Sequence, residues 1–135
     1  MRPVLLVLAV AGLAGCSNTF SPQALSGAWV RESQVPENFW TMSLTVNGSS
    51  ITGSGHECGE ALGCSAFSVS GKADDNGNVT MDFAYPNSRV EHFNGRVWFD
   101  ALRGTATITP EMPVLPPGEA AYDVIFHRAE LITIN

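Results

Sequence analysis

The chain has 135 residues with 13 acidic side chains, 7 basic ones, 3 histidines and a formal charge of −6. At 44% hydrophobic and 15% charged, it is too apolar for a disordered chain and too acidic for a nucleic-acid partner, which needs clustered lysine and arginine. Its length allows one domain, large enough to bury a core.

Residues 1–15 carry one cation, Arg2, then an apolar run from Val4 to Leu13, then small residues. The run is too short to cross a bilayer core of roughly 30 Å as a helix, and it reads as a signal peptide. Leu13-Ala14-Gly15-Cys16 resembles the lipobox of bacterial lipoproteins. That resemblance implies cleavage before Cys16, diacylation of its thiol and acylation of the new amine. Ser17 stands where Asp would imply inner-membrane retention, so the resemblance implies the outer membrane of a bacterial cell envelope. The alternative is an ordinary secretory signal with a chance cysteine. Several acyl chains anchor firmly, whereas one alone binds marginally. Loss of residues 1–15 removes Arg2 and takes the formal charge from −6 to −7. Such a globule is not expected to cling to anionic lipid by electrostatics, so the acyl chains do the holding. The expected organisation is a signal peptide at 1–15, a lipidated tether at 16–25 and a β-barrel domain at 26–135.

From residue 26 onward the apolar period is two rather than roughly 3.6. Trp40, Met42, Leu44 and Val46 alternate with polar residues, as do Phe67 and Val69, and Val79, Met81, Phe83 and Tyr85. Gly104, Ala106 and Ile108 follow the same rule, and so do Tyr122, Val124 and Phe126. One buried face and one wet face mean an antiparallel sheet, and no segment of the mature chain has a convincing amphipathic helix pattern. The fold expected is all-β, with eight strands at about 26–33, 39–47, 50–56, 66–73, 78–85, 90–99, 102–109 and 121–129. Asn47-Gly48 and Asp75-Asn76-Gly77 are hairpin signals, because these residues accept the positive φ of tight turns. Asp74–Asn78 only faintly resembles a calcium loop, since the later bidentate acid is missing.

The second, fourth and sixth connections are short, while those at 33–38, 57–65, 86–89 and 110–120 are mostly longer. In an eight-stranded antiparallel up-and-down meander these two sets lie at opposite ends, which gives a cup with a tight closed end and a loop-rimmed mouth. Both termini then fall at the closed end, and the mouth faces away from the bilayer. A sandwich with crossed connections is the competing topology.

With Cys16 lipidated, Cys58 and Cys64 remain in an oxidising compartment. A disulfide is the default, worth on the order of 2 kcal/mol for so short a ring. The rival is a metal pair with His56, Glu57 and Glu60 nearby, but oxidised cysteines do not ligate and no second Cys/His pair follows. Neither a metal nor a cofactor is expected.

Gly27-Ala28-Trp29 opens the first strand and Arg128 ends the last. This placement resembles the calycin superfamily of lipocalins, fatty-acid-binding proteins and avidins, whose first strand begins Gly-x-Trp. The resemblance implies that Arg128 packs over Trp29 and closes the barrel, as a structural pair rather than a site. It spans about residues 24–129 in architecture but rests on few motif residues. There is no lipocalin-length helix pattern after strand eight and no clear second lipocalin motif.

Trp40, Phe67, Phe83, Tyr85, Phe93 and Phe99, with Met42 and Met81, are the candidate inward residues for a small apolar ligand. The same side chains can equally fill the lumen of a small barrel. Enzymatic chemistry is not expected: the imidazoles His56, His92 and His127 have no partner by spacing, and no serine sits in a nucleophile elbow. Two functions compete. One is a tethered cup for a small apolar or amphipathic molecule, the commoner role in the resembled superfamily. The other is a protein-interaction or hydrolase-inhibitor barrel acting through rim segments 35–39, 58–64 and 112–117.

Overall fold

The computed structural model describes residues 20–32, 38–59, 63–109 and 121–129. The expected signal peptide, Cys16 and the segments 33–37, 60–62 and 110–120 lie outside the described residues, and with them most of the expected rim.

Eight strands form the body: β1 (Gly27–Arg31), β2 (Phe39–Asn47), β3 (Ser50–Gly59), β4 (Gly63–Ala73), β5 (Asn78–Ala84), β6 (Val90–Trp98), β7 (Ala101–Thr109) and β8 (Ala121–Arg128). Each pairs antiparallel with the next and β8 pairs with β1, so the meander closes into a barrel. Among the described residues the one helical element is a 3-10 turn, Pro22–Leu25. A closed eight-stranded antiparallel meander is compatible with a calycin-like fold.

Tight turns gather at one end. Asn47 pairs with Ser50, leaving Gly48-Ser49 as the turn, with Gly48 at φ +62° in the place a primed turn gives to glycine. Between β4 and β5, Asp74 accepts backbone hydrogen bonds from Asn76 and Asn78, both at 2.9 Å, and its other oxygen accepts from the Asn78 amide. These bonds hold the Asp74 carboxyl below the usual carboxylate range. The acidic run is therefore committed to a turn. Leu25 and Pro22 are buried beneath this end, and Phe20 and Val97 close over Gly77.

Trp29 and Arg128 are direct partners in the β1–β8 register. The buried indole donates from Nε1 to the Leu25 carbonyl at 2.9 Å, and the guanidinium carbon of Arg128 sits 4.5 Å from the ring centroid. Arg128 also donates to the carbonyls of Ala24 and Ser26.

Among the described residues, aromatic rings pack on one another inside the lumen. Trp40 stacks on Phe67 at 4.6 Å and meets Phe83 at 5.2 Å and Phe126 at 5.0 Å, while Phe93 meets Phe126 at 5.1 Å. Offset and edge-to-face contacts of this kind add to the apolar burial of each ring. Gly55 and Gly95 face the rings of Phe67 and Phe93 so closely that a β-carbon at either position would collide. Glycine is what lets those two rings lie flat inside the wall.

Three expectations are corrected. Phe99 is not inward: β6 stops at Trp98, and Phe99 lies in a two-residue turn at φ +53°, 87% exposed. The alternation carries Phe93 inward but loses its phase where the chain must reverse. Second, β3 and β4 do not stop at 56 and 66. Their ladder continues past the core, pairing Cys58 with Cys64 and Gly59 with Gly63. Small and polar residues above the core carry no apolar period, so sequence alone hides these strand ends. Third, β1 ends at Arg31 instead of 33.

The Cys58–Cys64 disulfide thus joins directly opposed residues, with Cα atoms 4.0 Å apart, across a ladder that is already paired. Reduction, or a Cys58→Ala and Cys64→Ala double substitution, is expected to cost about 2 kcal/mol at most and leave the fold intact. Urea unfolding with and without reductant measures this, and loss of the folded baseline on reduction would contradict it.

Candidate functional site

The mouth carries the charged chemistry, and its parts come from inward positions of five strands. Arg31 lies two residues after Trp29 on β1, and Glu91 two residues before Phe93 on β6, so alternation sends both into the lumen. They meet across the barrel as an ion pair between Arg31 Nη2 and Glu91 Oε1. Glu91 is 3% exposed, the one buried charged residue among the described residues. Its partner guanidinium lies 4.9 Å from the Trp40 ring centroid and 5.3 Å from that of Phe126. The aromatic column is therefore capped by a cation, which is in turn neutralised by Glu91.

A second couple sits alongside. Arg89 donates to Glu57 at 2.9 Å, and its guanidinium lies 3.9 Å from the centroid of Tyr85. Tyr85 Oη accepts from Trp40 Nε1 at 3.3 Å, which links this couple to the first. Burial pushes the Tyr85 phenol up to about 12, reinforced by the negative charges of Glu57 and Glu91 and opposed by the Trp40 hydrogen bond. Tyr122 is pushed up by burial as well, and the neighbouring Glu91 adds to the shift. The Nε–H groups of Arg31 and Arg89 are buried and have no hydrogen-bond partner among the described residues.

The short β1 opens the wall beside this layer. Among the described residues β1 pairs with 41–44 of β2, which begins at Phe39, and with 126–128 of β8, the seam being extended by one backbone bond at each end, Glu32 to Ile125 and Ala129 to Ala28. A cleft of about 490 Å³ occupies the notch, floored by Trp40, Tyr122 and Arg31 and rimmed by Glu32, Glu57 and Asp123. Glu32 is held by His127 Nε2 at 2.7 Å. A smaller hollow of about 190 Å³ adjoins it beside the disulfide, sharing Asn38 and Glu57 with the cleft. The rim carboxylates beside the exposed Phe39 suit a positively charged group that also has apolar surface to bury.

Of the residues proposed for a ligand, Trp40, Met42, Phe67, Met81, Phe83, Tyr85 and Phe93 are all buried and inward. They pack on one another as a solid column, and only Trp40 reaches the cleft. Phe99 is at the opposite end, outside the barrel. His92 points outward and meets Asp82 at 2.6 Å, and His56 is exposed. Sequence reading missed Arg31, Arg89, Glu91 and Tyr122 as a group. The signal was present for three of them: Arg31, Glu91 and Tyr122 stand in phase with Trp29, Phe93 and Val124, where a polar residue must find a partner. Arg89 lies before β6 and gave none.

No family model, curated protein or solved structure matches this chain.

Removing one half of the buried pair, as in Glu91→Leu, is expected to destabilise by about 3–5 kcal/mol, because Arg31 is left charged and unpaired. Adding Arg31→Met should restore much of that loss in urea unfolding, and an unchanged single variant would disprove the coupling. Both of the chain's 2 tyrosines are shifted upward, so phenolate absorbance should stay flat through pH 10 and rise only near pH 12 or on alkaline unfolding. A raised folded-state value favours the protonated form. This contribution to stability is present below the ordinary tyrosine range near pH 10 and is lost as pH climbs toward 12.

Proposed function

We propose that this protein is a lipid-anchored envelope lipoprotein, non-enzymatic, whose barrel is a recognition module that binds a protein partner at its mouth. The observation that carries the reading is the solid aromatic column: with Trp40, Phe67, Phe83, Phe93 and Phe126 in mutual contact, open space lies above them instead of among them. A deep apolar ligand would have to displace rings that already fill one another's contacts.

The mouth is suited to a partner in three respects. Its floor is rigid, tied by the Arg31–Glu91 and Arg89–Glu57 pairs, so little freedom is lost on binding. Phe39 stands 60% exposed at the cleft and offers an apolar contact. Glu32, Glu57 and Asp123 favour a lysine or arginine from the partner at the cleft rim. The hydrolase-inhibitor role is one form of this reading. A second reading, a small amphipathic ligand, is favoured by the cleft volume of about 490 Å³, which falls in the range of small-molecule sites. Anchoring rests on the Leu13-Ala14-Gly15-Cys16 lipobox resemblance, and outer-membrane residence on Ser17.

A photo-crosslinking residue at Asn38, beside the cleft, is compared in native envelopes with one at Thr80 on the barrel wall. A discrete protein adduct at Asn38 alone, abolished by Asp123→Lys, is the expected result. Native mass spectrometry covers the second reading: a small molecule that leaves on denaturation would favour it, and neither adduct nor extra mass would overturn recognition at the mouth.

A further inference from the structure

The closed end of the barrel carries features that its turns do not need. Trp98 and Phe99 are 57% and 87% exposed, and their rings meet edge to face at 5.5 Å on the β6–β7 turn. Phe99 holds φ at +53°, a left-handed conformation that its β-carbon disfavours and that glycine or asparagine would take more easily. A strained, water-exposed aromatic pair is a liability in a free globule.

Charge is distributed unevenly as well. Among the described residues, Arg31 and Arg89 are tied into ion pairs at the mouth. The remaining cations, Lys72, Arg96, Arg103 and Arg128, all lie on the closed-end halves of their strands. Arg96 and Arg103 face each other in register, two pairs away from Trp98 and Ala101, and neither has a salt-bridge partner among the described residues. Like charges directly opposed repel. Asp74, Asp75 and Asp100 occupy turns at the same end, and Arg96 contributes to lowering the Asp74 carboxyl. Among the described residues that leaves the closed end with four cations against three carboxylates, whereas the mouth has two against Glu32, Glu57, Asp82, Glu91 and Asp123. The net negative charge of the chain conceals this polarity.

The tether decides what the closed end meets. Phe20 packs over Gly77 beside Val97, next to Trp98 in the chain. Cys16 is four residues upstream, and at roughly 3.5 Å per extended residue it lies within roughly 14 Å of Phe20. An acyl-anchored Cys16 therefore leaves the closed end no more than a short reach from the lipid headgroups.

We propose that the closed end is a bilayer-docking surface, with Trp98 and Phe99 seated in the membrane interface and Arg96, Arg103 and Lys72 against lipid phosphates. The proposal rests on the acylation of Cys16. An indole with an apolar body and an N–H donor belongs at that interface, and a ring beside it adds apolar contact. Cations flanking the ring pair meet the negative surface potential. The outcome is an oriented barrel, mouth outward, in place of one that tumbles on its tether.

The test uses the mature chain from its own envelope, reconstituted into phosphatidylethanolamine–phosphatidylglycerol vesicles with brominated acyl chains. Trp29 and Trp40 are buried in the barrel, so bromine quenching reads Trp98. Quenching with a blue-shifted emission, lost in Trp98→Phe and weakened in Arg96→Glu with Arg103→Glu, is the expected result. Acylated protein, confirmed by intact mass, whose Trp98 is not quenched would overturn docking and leave the anchor standing. An intact mass without acyl chains would overturn the anchor and the docking with it.

Discussion

The β1–β8 seam holds the sheet closed through three register pairs, Trp29 with Arg128, Val30 with His127 and Arg31 with Phe126, whereas β3 and β4 share a ladder from Ser50–Lys72 to Gly59–Gly63. Three pairs are few for a joint on which barrel closure depends, and side chains reinforce it. The Trp29 indole hydrogen-bonds back to Leu25, drawing the 3-10 turn under the barrel, and Arg128 covers the indole while binding two carbonyls of the same segment. An arginine over an indole contributes roughly 0.5–1 kcal/mol at an exposed site, and its planar fork spans two acceptors as lysine would not. The seam also sets phase. With Trp29 inward, Arg31 must be inward too, and a one-residue slip would put both in water.

That phase has a consequence at the other end. A guanidinium delivered into an aromatic lumen needs a counter-charge, and Glu91 supplies it from β6 across the barrel. Buried pairs are poor sources of stability, since desolvation offsets most of their attraction, but they are costly to split. The Arg31–Glu91 pair therefore works as a lock on register: only one alignment of β1 against β6 leaves neither charge alone. The Trp40–Tyr85 hydrogen bond and the ring faces of Trp40 and Tyr122 extend the lock. The result is a stiff polar lid on an apolar column, and the chemistry of this molecule is thereby displaced from its lumen to its ends.

The two ends differ in kind. The mouth joins an aromatic floor to carboxylates, in a notch that exists because β1 is short. The closed end joins aromatic side chains to cations and lies beside the point where the chain enters the fold. The described charges are therefore arranged along the barrel axis, which a uniform surface of the same net charge would lack.

Period-two alternation, turn chemistry at Asn47-Gly48 and Asp74–Asn78, and the odd-even contrast in connection length were enough to read an eight-stranded antiparallel meander from the chain alone. These are local signals, each confined to a few neighbouring residues. Phe99 shows where such signals end, because alternation says nothing about where a chain turns. The extension of β3 and β4 to the disulfide was hidden for the opposite reason, since residues above a core need no apolar phase. Filling of the lumen could not be read either: whether eight inward faces leave a cavity depends on ring volumes summed across the barrel, and on Gly55 and Gly95 yielding space to Phe67 and Phe93. The sequence by itself determined the strands, their order and most of the apolar residues that face inward. Only the tertiary structure decided that Arg31 meets Glu91, that the lumen is solid and that charge separates by end, because these relations join residues distant in the chain and close only when the barrel does.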